Sequence, residues 1–150
     1  MVHGIINIKN ERNEKMGIVL KTDRGCTLAQ IKGDLDHHSA KFLRSEIDRE
    51  LTAKRPSRLV IDFSGVTFMD SSGIGLIMGR YKLMQDIGGD VIVASPPSYI
   101  KKVIRLAGID RLARISDSLK NVLPKDFGST FGEYAGEEEK ADETVKAADK

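Results

Sequence analysis

Two short apolar runs limit the folds that are open to this chain. Residues 59–63 and 90–94 are too short for helices, and their branched side chains are typical of strands covered on both faces. Each run precedes a stretch with helical periodicity, so strands and helices alternate along this part of the chain. Such alternation predicts right-handed βαβ crossovers and a mainly parallel sheet. The apolar sides of the two helices are Ile74, Ile77, Met78 and Tyr81, and then Ile100, Val103, Ile104 and Ala107.

The segments before these runs predict an antiparallel start to the sheet. Residues 17–22 and 26–32 have strand patterns, and the turn sequence Asp23-Arg24-Gly25 between them indicates a β-hairpin. Asp36 is a good N-cap for the helix that follows. A short strand near 112–115 and a short helix around 118–122 complete the pattern. The predicted fold class is therefore α/β, with a mainly parallel central sheet opened by a β-hairpin and accompanied by about four helices.

Composition divides the chain into three parts. Residues 1–15 are rich in asparagine and charge and are predicted to be a flexible N-terminal extension. Residues 16–123 are predicted to form a single domain, which is what a chain of 150 residues accommodates. Residues 124–150 show no apolar period, and from Gly132 onward seven acidic residues stand against three lysines. We therefore expect this last part to be a flexible acidic tail.

Hydropathy, charge and cysteine content argue against several classes of protein. No apolar run approaches the ~20 residues of a membrane-spanning helix, and the first residues lack a secretory pattern. We expect a cytoplasmic protein with no membrane partner. The basic residues are scattered and tryptophan is absent, so we expect no nucleic-acid partner. Cys26 is the only cysteine, and its position in a predicted strand indicates a packing role.

The loops after two predicted strands, residues 33–38 and 68–75, hold the candidate functional residues. Ligand and partner sites of α/β sheets tend to lie beyond the carboxyl ends of the strands. If the two strands are neighbours, Asp36 and Ser71 open adjacent helices at one edge of the sheet. Asp36, Asp70 and Ser71 could also be helix caps and nothing more.

Two observations point beyond capping. Gly73 and Gly75 lie in the first helical turn, where each glycine costs ~1 kcal/mol relative to alanine. That cost is understandable if another backbone or a partner must come close. The hydroxyls of Ser71 and Ser72 also lie where a helix N-terminus favours a phosphate group.

Most enzymatic alternatives lack their characteristic motifs. Ser71 does not lie in a Gly-x-Ser-x-Gly sequence, and every histidine precedes it, which argues against a serine hydrolase. No Gly-x-x-x-x-Gly-Lys-Ser/Thr phosphate loop is present. His37 and His38 are adjacent and have no further histidine or cysteine to complete a metal site.

One enzymatic or receiver-like alternative stays open. Acidic residues at the ends of strands suit a phosphate-handling enzyme, or an aspartyl-phosphate receiver, that works with a divalent metal. The residues available for it are Asp36, Asp62 and Asp70. Against it, residues 94–97 lack the lysine that a receiver would place there to contact a phosphate.

Three motifs carry a resemblance to a known family. They are Leu35-Asp36-His37-His38-Ser39-Ala40, Val66-Thr67-Phe68-Met69-Asp70-Ser71-Ser72-Gly73-Ile74-Gly75 and Gly79-Arg80-Tyr81-Lys82. In this order, over about residues 16–120, the chain resembles the anti-sigma factor antagonists, which are STAS-domain proteins, and in particular the anti-sigma F factor antagonists of sporulation. Residues 1–15 and the acidic tail lie outside the family pattern.

The resemblance implies a regulatory protein without catalytic residues, metal or cofactor. In the family, the serine directly after the aspartate of the second motif is phosphorylated, which here is Ser71. The implied partner is an ATP-dependent serine kinase that doubles as the anti-sigma factor, and binding to it releases the sigma factor. A phosphatase of the PP2C type reverses the phosphorylation. The docking surface implied for the kinase consists of Asp36, Asp70, Ser71, Ser72, Gly73, Ile74 and Gly75.

Overall fold

The structure, a computed structural model, describes residues 5–10 and 13–129. Within them the chain forms one six-stranded sheet, three α-helices and two short 3-10 helices. The strands are β1 (Ile5–Asn10), β2 (Asn13–Asp23), β3 (Cys26–Leu35), β4 (Arg58–Met69), β5 (Asp90–Ala94) and β6 (Arg114–Ser116). The α-helices are α1 (His37–Lys54), α2 (Ser71–Ile87) and α3 (Ser98–Leu106), and the 3-10 helices are Ile109–Arg111 and Lys120–Val122. None of the described helices is long and apolar enough to cross a membrane.

The strands follow one another across the sheet in chain order. The pairs β1–β2 and β2–β3 are antiparallel, whereas β3, β4, β5 and β6 pair in parallel. Each α-helix connects two neighbouring parallel strands, so right-handed crossovers place all three helices on one face. The predicted α/β fold, with a hairpin that opens a mainly parallel sheet, is confirmed. The short helix expected around 118–122 is the second 3-10 helix.

Three strands differ from the sequence-based expectation, and one of them is β2, which begins at Asn13 inside the proposed N-terminal extension. β1 lies within the proposed N-terminal extension, where no strand was expected, and it pairs with β2. Ile6 and Ile8 alternate there with polar residues, a short strand period that the neighbouring charges obscure. β4 extends to Met69 beside β3, and Gly65 permits the close approach, because a Cβ there would lie 2.9 Å from the Ile31 carbonyl oxygen.

The larger part of the core lies between the sheet and the helices. Alternate residues of β4 and β5 face the helices, and the side chains that meet them are almost completely buried. Ile77 of α2 is fully buried as predicted, whereas Ile74, Met78 and Tyr81 are half-buried at the margin. The sheet side chains of this core include Leu59, Ile61, Val91 and Val93, and the helix side chains include Leu43, Ile47, Met84, Ile100 and Ile104.

The second face of the sheet is covered by the C-terminal segment of the described chain. A smaller apolar cluster there consists of Cys26, Leu28, Val60, Ile92, Ala94 and Val122, with Leu119, Leu123 and Phe127 packed against it. The Gly128 N–H also donates to Asp23 Oδ2 at 2.8 Å. Residues 124–129, which were assigned to the tail, therefore contact the domain, while residues 130–150 lie outside the described residues.

Cys26 has the packing role that its sequence position predicted. It begins β3 and is 1% exposed within the second cluster. Burial raises the pKa of its thiol to about 12, so the side chain stays neutral at physiological pH. A neutral, enclosed thiol is a poor nucleophile and a good small apolar residue.

Candidate functional site

α1 and α2 begin side by side at one edge of the sheet. The last residues of β3 and β4, Leu35 and Met69, are partners in the parallel register. The Asp70 N–H extends the pairing by donating to the Leu35 carbonyl at 3.3 Å. Asp36 and Asp70 therefore stand next to each other, each one residue beyond a strand. The expectation that the two loops share one edge is confirmed.

Asp36 begins α1 through a reciprocal capping box. Its Oδ1 accepts from the Ser39 N–H at 3.0 Å, and the Ser39 Oγ accepts from the Asp36 N–H at 2.9 Å. The Ser39 hydroxyl donates to the Asp34 carbonyl at 2.8 Å, which fixes the entry into the helix. The hydrogen bond from the Ser39 backbone lowers the pKa of the Asp36 carboxyl. Asp36 therefore carries a negative charge at neutral pH.

Asp70 begins α2 in a similar way and leaves the following serine open. Its Oδ1 accepts from the Ser72 N–H at 2.8 Å. Ser71 is the first residue of α2 and is exposed, whereas Ser72 is half-buried. Of the two serines, Ser71 is the one that a partner can reach more easily, and it lies at the positive end of the α2 dipole.

The two glycines of the first turn have different surroundings. Gly73 is buried, and a Cβ there would meet the Cγ and Sδ of Met69 and lie 3.1 Å from Leu35 Cδ2. Packing against Met69 and Leu35 within the chain is thus sufficient to account for the glycine at position 73. Gly75 is exposed, and a Cβ there would have nothing within 4 Å. Of these two glycines, Gly75 is the one that leaves room for a partner.

Two exposed aromatic side chains near this edge were not expected. Phe68 is 44% exposed and precedes Met69 in β4, and Tyr99 in the first turn of α3 is 53% exposed. The Tyr99 hydroxyl donates to the Met69 carbonyl at 3.3 Å, next to Asp70. The sequence offered one indication of an exposed aromatic residue here, which was the position of Tyr99 directly after Ser98 and near the start of a predicted helix.

The three carboxylates that the receiver-like alternative requires, Asp36, Asp62 and Asp70, do not lie together in the structure. Asp62 follows Val60 on the second face of the sheet and is 4% exposed. Both its carboxylate oxygens are engaged, since Gln30 Nε2 donates at 2.9 Å and the Ser64 N–H at 3.0 Å. Asp36 and Asp70 lie beyond the strand ends. Among the described residues, no group of three histidine, cysteine or acidic side chains is placed to hold a metal ion.

This sheet, with two capped helices that start together at its edge, is the architecture of a STAS domain. The family model described as STAS domain matches residues 17–122, and the chain belongs to that family. It is 30% identical over 106 residues to the anti-sigma F factor antagonist of Paenibacillus polymyxa, which covers 71% of this chain and 91% of the relative.

Two solved structures extend the likeness to three dimensions. The anti-sigma factor antagonist SpoIIAA in its unphosphorylated form superposes with a TM-score of 0.62 and 25% identity, covering 69% of this chain and 90% of that one. The Bacillus cell fate determinant SpoIIAA in the phosphorylated form has a TM-score of 0.57, with 25% identity and coverage of 69% and 94%. A relative with this fold thus exists both with and without the phosphate.

Proposed function

We propose that this protein is an anti-sigma factor antagonist, with a regulatory and not an enzymatic role. It binds an anti-sigma factor that is also a serine kinase, the sigma factor is released, and phosphorylation of Ser71 ends the binding. The observation that carries this proposal is the exposed Ser71 at the start of α2, directly after Asp70 and next to Asp36. The names of the relatives and the phosphorylated form of SpoIIAA support the same function.

The proposed docking surface follows the edge where α1 and α2 begin. Asp36, Asp70, Ser71, Ser72 and Gly75 supply its contact atoms, because their side chains or backbone reach solvent. Gly73 is buried and shapes the surface from beneath, whereas the half-buried Ile74 packs against the core with one part and reaches solvent with the other. The exposed backbone at Gly75 allows a partner to lie close to the helix.

Phosphorylation is proposed to act on binding and not on folding. A phosphate on Ser71 adds about −1.5 to −2 charges directly after Asp70. Within the monomer the N-terminus of α2 favours this charge by roughly 0.3–1 kcal/mol. A docked partner would have to bury the phosphate together with Asp36 and Asp70, and an unpaired buried charge costs several kcal/mol. The modified chain therefore folds but does not dock, and a PP2C-type phosphatase restores docking.

The cellular setting is proposed from the same relationship. A partner-switching system of this kind operates in the cytoplasm, where the sigma factor and RNA polymerase are found. Sporulation is the process in the resembled group, and a related partner-switching system would use the same exchange of partners. The defining partner in either case is the kinase.

The experiment that tests the proposal is phosphate incorporation. The chain is incubated with ATP and the anti-sigma factor kinases of its own genome, and phosphopeptides are mapped by mass spectrometry. Ser72→Ala is the matched control for Ser71→Ala, since both remove one hydroxyl from the same turn. We expect label at Ser71 in the unaltered chain and in Ser72→Ala, and none in Ser71→Ala. Label that persists in Ser71→Ala, or a chain that no kinase binds, would refute the proposal.

A further inference from the structure

An open groove of about 470 Å³ runs between α1 and α2, starting one residue from Ser71. Its floor contains small residues, Ala40 from α1 and Gly75 and Gly79 from α2. From Ser72 to Gly79 it follows about two turns of helix, roughly 10 Å at 1.5 Å per residue. A Cβ at Gly75 or Gly79 would have nothing within 4 Å, so the groove is not filled by the chain's own side chains.

The charges that line this groove have one sign. Lys41 and Arg44 are exposed on α1, where their spacing of three residues puts them on the same side of the helix. Arg80 also lines the groove but is 5% exposed, and its Nε lies 2.8 Å from Asp48 Oδ1, so Asp48 offsets its charge. Among the described residues that line the groove there is no carboxylate. Lys41 and Arg44 therefore give it a net positive potential.

The docking edge and the groove form one continuous surface whose two parts carry opposite charge. Asp36 and Asp70 make the edge at the start of α1 and α2 acidic, and Lys41 and Arg44 make the adjoining groove basic. A partner that places its active site over Ser71 lies beside this groove, because Ser72 is one of the residues that line it. Opposite potentials side by side favour one orientation of the partner over its reverse.

We infer that the groove receives an acidic segment of the anti-sigma factor kinase and thereby orients the kinase on Ser71. The inference rests on the proposed function and names a second part of the same docking surface. An acidic segment fits because its carboxylates meet Lys41 and Arg44. Its backbone lies against Gly75 and Gly79, where no side chain intervenes.

The test reverses the charge of the groove and compares it with an equal change elsewhere. The variant is Lys41→Glu with Arg44→Glu, and the control is Lys102→Glu with Arg105→Glu, two exposed residues of α3 outside the groove. Association rates with the kinase that phosphorylates the unaltered chain are measured by stopped-flow at several salt concentrations. We expect the groove variant to associate on the order of tenfold more slowly at low salt, with a weaker salt dependence, and the control to change by less than about twofold. Equal effects of the two variants would overturn the inference.

A steric variant keeps the test independent of charge and of folding. Gly79→Gln places a side chain in the groove without removing a contact, and calorimetry shows whether it folds. We expect a melting temperature no lower than that of the unaltered chain and an affinity for the kinase that falls on the order of tenfold.

Unchanged affinity in both the charge-reversal variant and Gly79→Gln would refute the proposed role of the groove and leave the role of Ser71 standing. Absence of binding by the unaltered chain would refute both proposals. A chain that dimerises, and that the groove variants make monomeric without weakening kinase binding, would show that a second copy occupies the groove.

Discussion

Gly73 and Gly75 are two residues apart in α2 and serve different purposes. Gly73 has no side chain, and this leaves room for Met69 and Leu35 to pack under the first turn of α2. Gly75, in contrast, faces open space. The sequence shows only two glycines in a place where each weakens the helix. Their difference depends on the Met69 side chain, which folds back beneath α2, and no local pattern predicts that contact.

Alanine substitutions should separate these two purposes. In Gly73→Ala the added methyl group collides with Met69, so we expect the free energy of unfolding to fall by about 1–3 kcal/mol. In Gly75→Ala the methyl group meets nothing, so we expect a gain of up to ~1 kcal/mol from helix propensity. Urea denaturation of both variants measures the two values. A loss of stability in Gly75→Ala equal to that in Gly73→Ala would show that the two glycines are not distinct.

At the level of elements, the starts of the helices were the most predictable features and the cover of the sheet was the least. Asp36 and Asp70 were recognisable as N-caps because a short acceptor side chain before an apolar period has few other local uses. α2 ends at Gly88, whose φ of 96° lies in the left-handed region that glycine adopts without strain. β1 was missed because a six-residue strand beside a charged run offers only two alternating isoleucines.

The cap of α1 should give the stability of the protein a measurable dependence on pH. The Ser39 backbone N–H holds the pKa of Asp36 below its ordinary value of 3.8. The charged cap therefore stabilises the fold above that ordinary value, and the contribution disappears as the pH falls through the lowered pKa. At pH 7 we expect Asp36→Ala to cost ~1 kcal/mol, and Asp36→Asn to cost less because the amide oxygen still accepts.

Urea denaturation of the unaltered chain and of Asp36→Asn between pH 7 and pH 2.5 checks this expectation. Asp36→Asn is the matched control, since it keeps the shape and the acceptor but cannot titrate. The advantage of the unaltered chain should be constant above about pH 5 and should shrink as the solution is acidified. An advantage that grows on acidification would contradict the sign of the pKa change.

For the whole molecule, the C-terminal segment completes the second face of the sheet. Phe127 packs against the cluster that contains Cys26, and the Gly128 N–H closes onto Asp23. Those contacts join residues about 100 positions apart in the sequence. A single phenylalanine in a polar stretch has no periodicity that could announce such a contact, so the acidic composition of the tail dominated the sequence-based boundary at residue 124.

Two truncations should show at which residue the folded domain ends. A chain that ends at Ser129 keeps Phe127 and Gly128, and we expect its Tm to lie within about one degree of the full chain. A chain that ends at Leu123 loses both contacts, and we expect its Tm to fall by several degrees, because ~1–2 kcal/mol is worth about 2–4 °C per kcal/mol at this size. Differential scanning calorimetry of both chains, with Phe127→Ala in the full chain as a control, measures the difference. Equal melting temperatures for the two truncations would show that the segment adds no stability.

The variant Ser71→Asp tests whether a negative charge at position 71 is enough to prevent docking of the kinase, a mechanism that we call charge exclusion. This variant puts one full negative charge at the exposed start of α2, next to Asp70, and so imitates the phosphorylated chain in part. Because the helix N-terminus accepts a carboxylate, we expect Tm to shift by only a few degrees, in keeping with ~1 kcal/mol or less. Affinity for the kinase should fall on the order of 100-fold or more, since burying an unpaired carboxylate costs several kcal/mol and each 1.4 kcal/mol is tenfold.

Ser71→Asn, which has nearly the same shape without the charge, is the matched control and should lose far less affinity. Calorimetry and titration on the same samples separate a binding switch from a folding defect. If Ser71→Asp binds the kinase as tightly as Ser71→Asn, charge exclusion is wrong even where Ser71 is the residue that is phosphorylated.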